Sequence, residues 1–245
     1  MRTSKISKGL AALAFILASA SAVPAMAQDE EESEISVSAN VALTTDYRFR
    51  GIGLSGGDIA VQGGVDVGHS SGFYIGTWAS SLEGKINPYG GTELDIYGGW
   101  SGDVGGVTLD IGGLYYIYPN GVKGLDLDYF ELYGSISGDM GPVSAELGVA
   151  YAPDQDSLGS TDNFYIYTDL GVGIPDTPIS VSGHLGYTDG FLTLTGNGKA
   201  WDYSIGADYA ITDNLSFGVA YVGVEGPSID GLSDDTVVAT LSASF

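Results

Sequence analysis

From residue 35 to its end the chain alternates apolar and polar residues with a period of two, and no window there carries a helical stripe. Successive side chains of a strand point to opposite faces, so this pattern predicts strands with one apolar and one polar face. The first run is the clearest. In Ile35-Ser36-Val37-Ser38-Ala39-Asn40-Val41-Ala42-Leu43-Thr44-Thr45-Asp46-Tyr47-Arg48-Phe49-Arg50 the odd positions are nearly all apolar and the even ones mostly polar. Such a run exceeds the roughly five or six residues usual in a soluble strand and suits a tilted strand that crosses a membrane. Twelve strands are predicted, at about 35–50, 60–69, 72–81, 92–101, 107–118, 127–138, 142–152, 163–174, 178–188, 201–211, 215–224 and 235–245.

The connections narrow the fold further. Ser70-Ser71-Gly72, Gly102 to Gly106, Asp139-Met140-Gly141, Pro175-Asp176-Thr177 and Thr212-Asp213-Asn214 are short and rich in turn-forming residues. Longer loops at about 51–59, 82–91, 119–126, 153–162, 189–200 and 225–234 alternate with them, so both ends of the repeat fall on the short-turn side. This is the layout of an all-β, closed antiparallel transmembrane β-barrel with short periplasmic turns and longer external loops. Closure suits lipid, which cannot satisfy the unpaired backbone groups of a sheet edge. The apolar phase places Phe73, Trp100, Tyr209, Phe217 and Phe245 at turn ends, and Tyr47, Phe49, Tyr115, Tyr151, Phe164, Tyr187 and Tyr221 at loop ends. Two aromatic girdles are expected where rings sit at both membrane interfaces. An exported soluble β-sandwich, the alternative fold, would hide its aromatics mid-strand.

Composition removes several function classes. The 245 residues carry a formal net charge of −23, which argues against nucleic acid as a partner, because phosphate binding needs clustered Lys and Arg. Cysteine is absent and the only histidines are His69 and His184, so thiol chemistry and Cys or His metal centres are not expected, and no cofactor or metal is implied. Residues 1–27 read as a secretory signal: Arg2, Lys5 and Lys8 precede the apolar run Leu10 to Ala20, and Ala25-Met26-Ala27 is an A-x-A cleavage site. An acidic tail, 28–34, then leads into the barrel, 35–245. The expected destination after export and cleavage is the bacterial cell outer membrane, with its lipid as the surrounding partner.

The C-terminal phase Val237, Ala239, Leu241, Ala243 and Phe245 ends on an aromatic residue. It resembles the terminal signature of bacterial outer-membrane proteins that the barrel-assembly machinery recognises, which makes Phe245 a candidate assembly signal. The stretch Ser38 to Gly51, followed by Gln62-Gly63-Gly64-Val65-Asp66 and Gly72-Phe73-Tyr74-Ile75-Gly76-Thr77-Trp78-Ala79-Ser80, resembles the TorF-type family of bacterial outer-membrane porins. The resemblance implies an outer-membrane channel; it names no substrate and supplies no catalytic motif.

If the apolar phase meets lipid, the other phase lines the lumen. It holds Asp46, Asp66, Glu93, Asp95, Asp110, Glu131, Glu146, Asp169, Asp202 and Asp208, with Arg48, Arg50 and His184. Acidic rings favour cations, so a cation-preferring path for small solutes or ions is predicted. Asp46, Arg48 and Arg50, near the outer end of the first strand, have two readings. They form a constriction facing acids across the pore, or an internal salt-bridge network that stiffens the wall. Lumen glycines leave space while Tyr74, Trp78, Tyr97, Tyr116, Tyr129, Tyr133, Tyr165 and Tyr167 fill it, so an open channel and a plugged structural or surface-interaction barrel both remain open. Asp128 falls in the apolar phase of its predicted strand, where a charge is tolerated only near the interface. An enzyme is not expected: His184 has only Ser180 and Ser182 in its phase, turned away from acyl chains, and His69 lies beside a turn.

Overall fold

The computed structural model describes residues 34–84 and 88–245. The predicted signal, 1–27, and all but the last residue of the acidic tail lie outside the described residues. Among the described residues fourteen strands follow in chain order: β1 (Ile35–Thr44), β2 (Arg48–Phe49), β3 (Ile52–Gly53), β4 (Ala60–His69), β5 (Phe73–Ser81), β6 (Thr92–Val104), β7 (Val107–Ile117), β8 (Tyr129–Met140), β9 (Val143–Gln155), β10 (Thr161–Gly173), β11 (Ile179–Gly190), β12 (Lys199–Ala210), β13 (Leu215–Val224) and β14 (Thr236–Ser244). Twelve of them close into one antiparallel barrel, β1 pairing with β14 on one side and β4 on the other, while β2 and β3 form a separate two-stranded hairpin. At the closing seam Leu43 faces Leu241 and Val61. Beyond β14, the Phe245 amide donates to Ala39 O at 2.9 Å and Phe245 O accepts from the Ala39 amide, so the last residue continues the ladder.

The wall follows the alternation. On β1, β5, β7 and β12 the side chains of Val37, Ile75, Ile111 and Ile205 point outward and are exposed. A soluble monomer rarely exposes an apolar surface that runs all the way round it. Phe73, Tyr209, Phe217 and Phe245 stand exposed towards the short turns, and Tyr115, Phe130, Tyr151, Phe164, Trp201 and Tyr221 towards the long loops.

Four expectations need correction. The first strand ends at Thr44, not residue 50; the Thr45 amide still donates to Ala239 O at 2.9 Å, and the chain then turns into the barrel. Tyr47 and Phe49 therefore leave the outer girdle and join a core inside the lumen. The connection predicted at 153–162 is short, because β9 and β10 extend to Gln155 and Thr161 and only a single 3-10 turn (Asp156–Leu158) with Gly159 and Ser160 joins them. Asp128 precedes β8 instead of lying in it, and its Oδ1 accepts the Tyr118 amide at 2.8 Å, so this charge does not sit in the outward phase of the strand.

Candidate functional site

The segment between β1 and β4 folds inward from the long-loop end. Its hairpin has Arg48 opposite Gly53 and Phe49 opposite Ile52, leaving Arg50 and Gly51 at the tip with φ of 48° and 77°. Positive φ at both central residues is the two-residue type I′ turn, whose usual residues are Asn and Gly. Gly51 also sits against the wall, where a Cβ would lie 2.7 Å from Val224 Cβ and 3.2 Å from Asp202 Cβ. Arginine in this region is strained by about 1–2 kcal/mol, which its contacts offset. Arg50 Nη2 donates to both oxygens of Glu131 at 2.8 Å each, and the guanidinium lies 4.2 Å from the Tyr165 ring centroid and 4.8 Å from that of Phe49. Among the described residues its Nε and Nη1 have no hydrogen-bond partner, and the residue is 1% exposed.

Asp46 organises the loop from within. Its carboxylate accepts from Ser55 Oγ at 2.8 Å and the Gly57 amide at 3.2 Å, and pairs with Arg48 Nε. Arg48 fastens the loop to the 225–235 connection: Nη2 donates to Asp234 Oδ1 at 3.1 Å, Nη1 to Asp234 O at 3.0 Å, and the Gly53 amide to Leu232 O. Burial works against the charged Asp234, but the hydrogen bond and charge of Arg48 outweigh it and hold this carboxyl below its usual range. Apolar packing completes the seat. Phe49 meets Tyr116 edge-on at 5.8 Å, Tyr47 meets Trp78 at 5.4 Å, and Tyr116 stacks on Tyr129 at 4.3 Å. Leu54 and Leu114 are buried in the same cluster. A cavity of about 320 Å³ remains at the mouth, lined among others by Asp46, Arg48, Asp230 and Asp234.

The lumen acids fall into two sets. Towards the long loops, Glu93, Asp95, Glu131 and Asp202 are almost fully buried beneath the inward loop. Glu93 accepts from Tyr47 at 2.6 Å, Glu131 holds Arg50 and accepts from Tyr116 at 3.2 Å, and Asp95 Oδ1 has no hydrogen-bond partner among the described residues. Towards the short turns lie Asp66, Asp110, Glu146 and Asp208. Tyr97 donates to Asp66, Tyr74 to Asp110 at 2.7 Å, and Tyr167 to Glu146 at 2.9 Å. Among the described residues no Lys or Arg pairs with any of these four. Between the two sets His184 bridges Asp169, 2.7 Å from Nδ1, and Asp202, 3.0 Å from Nε2. Both ring nitrogens are thus taken by carboxylates and not by a serine hydroxyl; His69 Nδ1, beside its turn, lies 2.7 Å from Ser71 Oγ.

Glycine and tyrosine do not compete for the lumen; they interlock. A Cβ on Gly112, Gly148 or Gly186 would lie only 2.2–2.3 Å from atoms of Tyr133, Tyr167 and Tyr165 respectively. Each ring lies in the gap its glycine leaves, so these glycines open no passage. The alternation in the sequence puts every lumen acid on the inward phase but does not reveal the hairpin. The one local signal for it is Arg50-Gly51 between two alternating pairs, a departure from the Asn-Gly usual at such turns.

These features define a class: a closed twelve-stranded membrane-type barrel with a polar lumen and an inward-folded loop. The structure is similar to the NanC porin, with a TM-score of 0.57 at 10% identity over 86% of this chain and 99% of that one. It is also similar to an outer-membrane channel from Pseudomonas putida F1, with a TM-score of 0.51 at 10% identity over 89% of this chain and 99% of that one. At these identities the likeness establishes the fold. Residues 28–245 match the family described as bacterial protein of unknown function (Gcw_chp), and the chain belongs to that family. No curated protein sequence matches it.

Proposed function

We propose that the protein is a bacterial outer-membrane channel of the TorF porin type, through which small solutes diffuse passively with a preference for cations. The observation that carries this reading is the set Asp66, Asp110, Glu146 and Asp208, which faces the lumen with no Lys or Arg paired to it among the described residues. Arg48 and Arg50 do not counter it, because both are buried and committed to carboxylates of the loop and wall. A low-dielectric wall strengthens an acidic field, and acidic linings favour cations. The short turns face the periplasm and the long loops the exterior. The chain is exported, cleaved after Ala27 and inserted by the barrel-assembly machinery through a signal ending at Phe245; the family match beginning at residue 28 supports that boundary. Outer-membrane lipid surrounds the wall, nucleic acid is not a partner, and no catalytic step is proposed.

A second reading, a non-conducting structural barrel, is favoured by the filled outer half. The deciding experiment is single-channel conductance of the refolded mature chain in a planar bilayer under a salt gradient. A stable conductance with a cation-directed reversal potential supports the channel. An anion-directed potential removes the cation preference, and silence from correctly folded, inserted barrels selects the structural reading.

A further inference from the structure

A continuous line of side chains joins the inner half of the lumen to the tip of the inward loop. Asp169 is its lower end, 22% exposed at the side chain and opposite Glu146 in the β9–β10 ladder. His184 stands next, with Nδ1 against Asp169 and Nε2 against Asp202. The Tyr165 hydroxyl lies 2.9 Å from Nε2 and 3.1 Å from Asp202 Oδ1, and its ring carries the Arg50 guanidinium. Gly51 rests on Asp202 itself.

The chemistry of the seat is specific. A carboxylate only accepts hydrogen bonds, and both imidazole nitrogens face one, so the seat suits the imidazolium, which donates from both. A neutral ring has one N–H and turns a lone pair towards one of the two carboxylates. The groups facing His184 are Asp169, Tyr165 and Tyr167 from β10 and Asp202 from β12; Glu146 of β9 reaches it through Tyr167, and Arg50 through Tyr165. Asp202 is buried, and among the described residues the imidazolium is the only cation paired with it. Arg50 lies on the ring of Tyr165, whose hydroxyl touches Asp202, and two of its nitrogens have no hydrogen-bond partner among the described residues.

We propose that His184 is a pH-responsive latch for the inward loop. With the imidazolium in place Arg50 belongs to Glu131 alone and the hairpin is seated. Loss of the proton sets Asp202 in competition for Arg50, moves the hairpin tip and loosens the loop that fills the outer half.

The test is hydrogen exchange of the Gly53, Leu54 and Gly57 amides, which donate to Leu232 O, Tyr47 O and Asp46. The mature refolded chain is compared with His184→Gln and His184→Lys from about pH 6 to about pH 10, corrected for the intrinsic pH dependence of exchange. Wild type is expected to lose about tenfold protection in a one-proton step. His184→Gln is expected to be unprotected throughout, and His184→Lys, a cation that can donate to both acids, protected throughout. A flat wild-type profile, or an equal step in His184→Gln, overturns the latch. Far-ultraviolet circular dichroism verifies each barrel; if the Gln variant does not fold, persistence of the wild-type step in His184→Lys overturns the proposal equally. Conductance recorded in parallel rests on the channel reading. An exchange step without current at any pH keeps the latch and removes the channel, whereas current with flat exchange keeps the channel and removes the latch.

Discussion

The outer and inner halves of the lumen are built from the same residue types to opposite ends. In the outer half the acids Glu93, Asp95, Glu131 and Asp202 are buried beneath the inward loop; Arg50 of that loop is locked onto Glu131, while Arg48 holds Asp46 and Asp234 at the rim. It is packed like the core of a soluble protein. In the inner half Asp66, Asp110 and Glu146 are only partly buried and are held by tyrosine hydroxyls instead of cations. Acid content alone therefore does not set the character of a lumen. A carboxylate sealed under packed side chains, on a guanidinium like Glu131 or on a phenol like Glu93, adds rigidity and little field, whereas a phenol-held carboxylate left partly exposed turns its charge to the lumen.

The comparison is broken most forcefully at Glu131. Glu131→Ala leaves Arg50 buried without its counter-charge, and removing one partner of such a pair costs about 3–5 kcal/mol. The inward loop is expected to leave the lumen, read as loss of amide protection over residues 45–57 and a larger single-channel conductance. Unchanged protection would show that Arg48 and the apolar packing suffice to hold the loop. Next comes Gly148→Ala. The added methyl collides with the Tyr167 ring, and overpacking of this kind costs about 1–3 kcal/mol. A lower unfolding midpoint in detergent would bear this out, and an unchanged one would mean the ring is free to move into open lumen.

Selectivity sharpens the contrast. The combined variant Asp66→Asn, Asp110→Asn, Glu146→Gln is expected to lower the cation-to-anion permeability ratio several-fold. Glu93→Gln, beneath the loop, is expected to leave that ratio nearly unchanged. Equal effects from the two sets would end the distinction between halves. The smallest effect belongs to Asp234, at the exposed rim of the loop seat. Its carboxyl is held low by Arg48, so its contribution is complete above the ordinary carboxylate range and disappears as pH falls through the lowered value. Asp234→Asn should therefore lower loop protection slightly at neutral pH and leave it unchanged in acid, which removes the acid-side step from its pH dependence.

Much of this architecture is legible in the sequence for a local reason. Alternation at β7 or β12 states which face each residue occupies, and turn residues such as Asp139-Met140-Gly141 state where the chain reverses. Those two facts are enough to put Asp66, Glu93 and Asp208 on the lumen side. They do not separate a strand from a hairpin that alternates in the same phase. Tyr47 and Phe49 fit the apolar phase of a wall strand, where lipid would receive them, and fit equally well a hairpin turned into the lumen, where Trp78 and Tyr116 do.

By itself the sequence determined the barrel, its strand number and the phase of its lumen acids, because each of these is decided by a period of two and by turn chemistry within a few residues. Only the tertiary structure decided that the chain leaves the wall after Thr45, that Arg50 lies on Glu131 and Tyr165, and that His184 joins Asp169 to Asp202. Those contacts depend on strands distant in sequence meeting across a closed interior, where burial makes a charge choose a partner that no local pattern names.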